Sequence, residues 1–276
     1  MKRTVSLMLS SSLLLAGTCI LAAQEKTAAM HSPPKVLVIY REFVKPGKSG
    51  SLHEKAENAF VQAYTRAKSP SHYFAVDAMS GKPRSLFLYG YDSFDAWEKA
   101  HQAEEKDATY SASVDRAAIA DGDLLSDADS SVMVYREDQS LHANVDIPHM
   151  RYFEISLYHV RPGHGKEWDD LVKMVMAAYE KVPDTHWAMY EVMFGQQGHT
   201  YVVFSPRKSG AEIDEAFGKE KKFVEAMGED GMKKLSELEG SAVDSAQTNL
   251  FKFNPKMSYP PDGWLQADPE FWKPKP

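Results

Sequence analysis

The chain carries one pattern twice, from Tyr40 to Gly81 and again from Ser156 to Gly195, and this duplication constrains its fold more than any other feature. A strand-like run ends in Val44-Lys45-Pro46-Gly47 in the first copy and in Val160-Arg161-Pro162-Gly163 in the second. With one residue of slippage the following helices align, and they stop at Lys68-Ser69-Pro70 and Lys181-Val182-Pro183. Each copy goes on with a histidine, an aromatic, a carboxylate, a methionine and a glycine at matched spacing. These are His72, Tyr73, Asp77, Met79 and Gly81 in one copy, and His186, Trp187, Glu191, Met193 and Gly195 in the other.

Within each copy the periodicities follow one order. Val36 to Tyr40 is a short β-branched run closed by Pro46-Gly47, which predicts a strand. Leu52, Ala56, Phe60, Ala63, Tyr64 and Ala67 fall on one helical stripe, matched by Trp168, Leu171, Val172, Val175 and Tyr179. His72–Met79 with Arg84–Tyr91, and Trp187–Phe194 with Thr200–Phe204, read as hairpins around Gly-rich turns. Charged helical stretches follow, broken near Asp107 and near Gly228 to Gly231, and the last strands are Ser131–Arg136 and Thr248–Phe253. The fold class expected is α+β, two tandem ferredoxin-like (βαββαβ) units.

The order of segments along the chain is then 1–23 a signal peptide, 24–34 a flexible lead-in, 35–137 the first unit, 138–150 a linker, 151–253 the second unit, and 254–276 an extended tail rich in proline and aromatics. The signal reading rests on Met1-Lys2-Arg3 before the apolar run from Val5 to Ala23, and implies a secreted or periplasmic protein with no membrane insertion of the mature chain. Cleavage removes Cys19, the one cysteine, and with it disulfides, thiolate catalysis and sulfur-built zinc sites. Loss of Lys2 and Arg3 takes the formal net charge from -7 to -9, which argues against nucleic acid as a partner.

The strand ending in Lys/Arg-Pro-Gly, followed by a helix opening on Glu167-Trp168, resembles the dimeric α/β-barrel superfamily over most of residues 35 to 253. That superfamily includes antibiotic-biosynthesis and haem-degrading monooxygenases and NIPSNAP-type proteins. The resemblance implies two ferredoxin-like sheets facing each other, here supplied by one chain as a pseudo-dimeric barrel, either a monomer or a higher homo-oligomer. On this reading Leu37, Ile39, Phe153 and Ile155 face the helices. Val38, Tyr40 and Glu42, with Glu154, Ser156 and Tyr158, point into the cavity between the sheets, and Asp77 and Glu191 join them.

The candidate site residues follow from that placement. Asp77, Glu191, His53 and His101 are the candidates for acid, base or ligand, and Tyr40, Glu42, Glu154, Ser156, Tyr158, His72 and His186 for ligand contact. The plainer alternatives are ion pairing of the carboxylates with Arg41, Arg84 or Arg151, structural hydrogen bonds from His72 and His186, and a solvated His101. His101 lies where the resemblance puts a haem-ligating histidine. However, neither first strand carries an asparagine and Trp97 stands at a helix start, so haem stays open and is not favoured. His142, His149, His159 and His164 make no metal motif, and no metal is expected. The leading expectation is a protein that holds a small apolar or aromatic molecule between its sheets. The alternatives are a cofactor-free or haem-linked monooxygenase of an aromatic substrate, and a non-catalytic structural or interaction module.

Overall fold

A computed structural model describes residues 32–273, so the apolar leader and most of the lead-in lie outside the described residues. The first unit runs β1 (Val36–Val44), α1 (Ser51–Ala67), β2 (Tyr73–Ala78), β3 (Arg84–Tyr91), α2 (Phe94–Glu105), α3 (Ala108–Gly122) and β4 (Leu125–Tyr135). The second repeats it as β5 (Tyr152–Val160), α4 (Gly165–Tyr179), β6 (Ala188–Phe194), β7 (Thr200–Arg207), α5 (Gly210–Gly218), α6 (Glu220–Ala242) and β8 (Val243–Tyr259). The short helices α7 (Asp262–Ala267) and α8 (Pro269–Trp272) follow.

Local chemistry sets the helix ends. The backbone N–H of Ala96 donates to the Ser93 hydroxyl at the start of α2, and those of Thr109 and Tyr110 donate to the Asp107 carboxylate at the start of α3. The Asp107 break expected from the sequence is therefore an N-cap. In α6 the break falls at Gly228, whose φ of 70° no helix accommodates.

The eight strands close into a barrel in the order β1-β3-β2-β8-β5-β7-β6-β4. Each unit is an antiparallel four-stranded sheet, and the two sheets join at β2–β8 and β4–β6. The repeated glycines lie at these seams. Gly81 (φ 77°) packs where an added Cβ would come within 2.5 Å of Asn249 Oδ1 on β8, and Gly195 (φ 87°) where it would come within 2.1 Å of the Ser130 carbonyl oxygen on β4. At Gly195 the backbone itself leaves no room for a side chain, whereas at Gly81 the Asn249 side chain would have to move.

The barrel interior is the main core. Leu37, Ile39, Phe153 and Ile155 meet Leu86, Leu88, Tyr190, Phe204, Phe251 and Phe253 between the two sheets. This reverses the expected orientation of the first strands. Val38 and Tyr40 share the outer face with residues of α1 and α2, and Tyr158 packs on Trp168 of α4. The physical reason is that the space between the sheets is lined by apolar side chains from both, so the more apolar set of each strand lies there. The faces under the helices carry polar and aromatic groups.

The last strand of each unit is longer than expected. β4 begins at Leu125, and β8 runs on to Tyr259, where it pairs with Tyr73. The tail is therefore strand and short helix rather than wholly extended. Trp272 is buried against Phe253 and donates from Nε1 to the Pro148 carbonyl.

Candidate functional site

The outer face of the first sheet carries a polar cluster beneath its helices. Glu42 comes from β1, His53 and Glu57 from successive turns of α1, and Asp121 from the end of α3. One ligand-type atom from each lies within 4.8 Å of those of the other three. His53 Nε2 is 3.0 Å from Glu42 Oε2 and 3.4 Å from Asp121 Oδ1. His53, Glu57 and Asp121 are buried, at 2%, 3% and 2% exposure.

The other face of the imidazole leads into a second chain of contacts. His53 Nδ1 is 3.4 Å from Ser85 Oγ on β3, and the Ser85 hydroxyl donates to Asp77 Oδ1. Asp77 Oδ2 accepts from Asn254 Nδ2 at 2.7 Å. Three sequence candidates, Glu42, His53 and Asp77, are thus brought together, while Glu57, Asp121, Ser85 and Asn254 complete a group that spacing alone does not reveal.

The electrostatics follow from the burial. Desolvation, then the charges of Glu42 and Asp121, hold the Glu57 carboxyl well above the usual carboxylate range. Asp121 is pushed up to about 6 by burial and by Glu42, partly offset by His53. Burial alone would lower His53, but its hydrogen bond to Glu42 and the charges of Asp121, Glu42 and Asp77 outweigh it and raise the imidazole above its ordinary value. One oxygen each of Glu57 and Asp121 is buried with no hydrogen-bond partner. Orphaned buried oxygens are costly, and such groups call for an explanation.

Glu42 and Glu57 also form the inner wall of a cavity of about 280 Å³ between β1–β3 and the helices. Its other walls are Tyr40, Tyr64, Tyr73, Tyr89, Tyr91 and Trp97, with His101 and Glu104 from α2. Tyr64 is the hub of this aromatic group, with ring centroids 5.1 Å from Tyr73 and 5.3 Å from Tyr110. His101 stands beside Trp97 at 5.5 Å, with its Nδ1 3.7 Å from Glu104. Haem does not suit this lining. Three carboxylates and no Lys or Arg face the space, where a haem's propionates need cations.

The second unit places its candidates differently. Glu154 accepts from Arg207 Nη2 at 2.8 Å, Glu191 from Arg136 Nη1 at 2.7 Å, and Ser156 bonds Thr248 at 2.7 Å. Both carboxylates are ion-paired, with Arg207 and Arg136 rather than with the Arg41, Arg84 or Arg151 considered from the sequence. Tyr158 packs against Trp168 at 5.4 Å, and Trp168 stacks on Tyr201 at 4.9 Å.

His72 and His186 meet in a third place, the open end of the barrel. There a cavity of about 500 Å³ lies between the two sheets, walled by Leu37, Leu88, Phe74, Phe153, Phe204 and Trp264 and rimmed by both histidines. His72 stacks on Tyr259 at 4.8 Å, and His186 Nε2 is 3.0 Å from the Pro206 carbonyl. Burial keeps both imidazoles below their ordinary pKa, so they line the mouth as neutral rings.

With this geometry the molecule is of a recognisable class, a mixed α+β fold with a closed eight-stranded antiparallel barrel made of two ferredoxin-like sheets. Solved structures share it. An anthrone oxidase-like protein superposes with a TM-score of 0.51 at 10% identity, covering 82% of this chain and 93% of that one. A protein provisionally assigned as a monooxygenase, from Fusobacterium nucleatum subsp. nucleatum, gives 0.50 at 12% identity over 80% and 93% of the two chains. A mutant chlorite dismutase from Candidatus Nitrospira defluvii gives 0.50 at 10% identity over 86% and 97%. No family model matches the sequence, and no curated protein matches it at a significant level. At these identities the likeness is one of fold. No described helix is long and apolar enough to cross a membrane.

Proposed function

We propose that the protein, exported to the periplasm or beyond, binds a small apolar or aromatic molecule at the open end of its barrel, between the two sheets. The observation that carries this is the 500 Å³ cavity with its aliphatic and aromatic walls, a size and chemistry suited to a compact organic ligand. Polar groups at its rim, Tyr190 and the neutral His72 and His186, would orient such a ligand without demanding a charge on it. Tyr190 is already engaged, donating to the Pro34 carbonyl at 3.0 Å.

Titration with the apolar fluorophore N-phenyl-1-naphthylamine tests the proposal. Saturable enhancement in the micromolar range, about -8 kcal/mol, is expected. Ala188 of β6 lines the cavity and packs against the barrel core, so Ala188→Phe fills the space and abolishes the enhancement. The absence of saturable binding, or binding that Ala188→Phe leaves unchanged, would show that the cavity takes no such ligand.

One observation favours the monooxygenase alternative, the meeting of Glu42, His53 and Asp77 beside the aromatic cavity of the first unit. On this reading oxidative chemistry would lie at a different place from the barrel mouth. Oxygen uptake with a phenolic polycyclic substrate, reduced in Glu42→Gln and unaffected by Ala188→Phe, would select it. No uptake with any such substrate rejects it.

A further inference from the structure

We propose that Glu42, His53, Glu57 and Asp121 bind one divalent first-row transition-metal cation beneath α1 of the first unit. The site is separate from the barrel mouth and does not depend on ligand binding there.

Asp77 accepts from Asn254, and as a carboxylate it can only accept from Ser85, so the Ser85 hydroxyl must donate to it. The remaining Ser85 lone pairs then accept from His53 Nδ1–H. In the neutral ring this leaves Nε2 with its lone pair aimed at Glu42 Oε2 and Asp121 Oδ1. A lone pair facing two carboxylate oxygens is repulsive unless a positive charge stands among them. That charge is a proton, held on His53 or on one of the facing carboxyls, or a metal ion.

Two observations favour the metal. Glu57 Oε1 and Asp121 Oδ1 are buried without a hydrogen bond of good geometry, and a shared cation would take the place of the proton that the metal-free Glu57 and Asp121 carboxyls must otherwise share. Moreover, the scaffold does not require polar groups here. The second unit fills the positions equivalent to Glu42, His53, Glu57 and Ser85 with Tyr158, Trp168, Val172 and Tyr201, packed as an apolar cluster. Polar side chains at Glu42, His53 and Glu57, buried where the second unit is apolar, have a reason beyond packing.

The donor set defines the ion. One imidazole nitrogen with carboxylate oxygens and no sulfur suits Mn²⁺, Fe²⁺ or Zn²⁺. The Ser85–Asp77–Asn254 chain behind Nδ1 is the outer support that fixes a ligating histidine's tautomer. Glu42 and Glu57 also wall the 280 Å³ aromatic cavity, which gives the ion an entry path and leaves space for a further ligand on that side.

The test uses the full chain, stripped with EDTA and then titrated with Mn²⁺ followed by electron paramagnetic resonance, and with Co²⁺ followed by visible absorption. One saturable equivalent is expected, accompanied by a rise in Tm. Glu57→Gln, which keeps side-chain volume and so keeps the fold by far-UV circular dichroism, weakens binding at least about tenfold, and Ser85→Ala weakens it less. Glu191→Gln, in the second unit, leaves it unchanged. No saturable binding up to about 1 mM metal, or one equivalent that survives both Glu57→Gln and His53→Gln, overturns the proposal. Because no apolar ligand is present, neither result bears on the barrel-mouth reading.

Discussion

The two units keep the same sheet and the same crossing helix but fill the layer between them in opposite ways. In the first unit α1 lowers His53 and Glu57 onto Glu42 and Ser85, whereas in the second α4 lowers Trp168 and Val172 onto Tyr158 and Tyr201. Backbone pairing is the same at both places, since Glu42 faces Ser85 in one sheet and Tyr158 faces Tyr201 in the other. The register of a duplicated fold can thus be retained while one copy takes on packing and the other a polar centre. Burial of apolar area stabilises the second interface, and desolvation of charge works against the first.

The largest test of this contrast is Trp168→Ala. It removes a ring that is 2% exposed and packed on two aromatics, and should cost about 3–5 kcal/mol, read from urea unfolding. The seam glycines come next. Gly195→Ala drives a Cβ into the Ser130 backbone and should cost about 2–3 kcal/mol, whereas at Gly81 the obstacle is the movable Asn249 side chain and Gly81→Ala should cost about 1–2 kcal/mol. Equal costs would mean that the two seams are equally yielding.

Glu57→Gln should have the opposite sign. It removes a buried carboxyl whose ionisation the fold opposes, so the metal-free protein gains about 1–2 kcal/mol at pH 8, where wild-type Glu57 and Asp121 are held against their ionisation in the unfolded chain. A loss of stability would mean that Glu57 contributes more through its contacts than its desolvation costs.

The smallest effect is in the histidines, and its sign differs between regions. His53 has a raised folded pKa, so its stabilising contribution is full below the unfolded value of about 6.5 and fades as the pH rises through the folded value. His72 and His186 have lowered folded pKa values, so they withdraw stability as the pH falls below about 6.5 and through those values. Imidazole proton shifts followed from pH 8 to pH 5 should place His53 on one side of the ordinary value and the other two on the opposite side. Apolar ligand affinity at the mouth should weaken a few-fold over the same acidification, and His186→Gln should flatten that dependence. A common midpoint for all three would remove the distinction.

Much of the fold is legible in the sequence because its signals are local. Pro-Gly turns, an amphipathic stripe and a glycine-ended hairpin, each occurring twice, suffice for the βαββαβ order. The facing of β1 and β5 is not legible, because both faces of these strands are covered and alternation no longer marks water. The early parts of β4 and β8, Ser126 to Ser130 and Asp244 to Gln247, are exposed and polar, so they read as loop although they continue the ladder. At the site, the pairing of Glu42 with His53 depends on a strand and a helix meeting, and Asp121 arrives from a helix far along the chain. One local signal was available. His53 and Glu57 stand four residues apart on the stripe of α1 that carries Ala56, Phe60 and Ala63, and a carboxylate on the buried face of a helix calls for a partner.

Closure of both seams within a single polypeptide also changes the physics of assembly. A barrel made from two separate chains exists only above the concentration set by its dissociation constant. Here each sheet meets its partner at the effective concentration fixed by the connection from Glu137 to Arg151, a quantity that dilution does not alter. The two halves also need not be interchangeable, since no symmetry operator obliges a substitution in one to be repeated in the other. Covalent fusion therefore lets His53 and Trp168 occupy equivalent positions in one molecule, an asymmetry that a homodimer of identical chains could not encode.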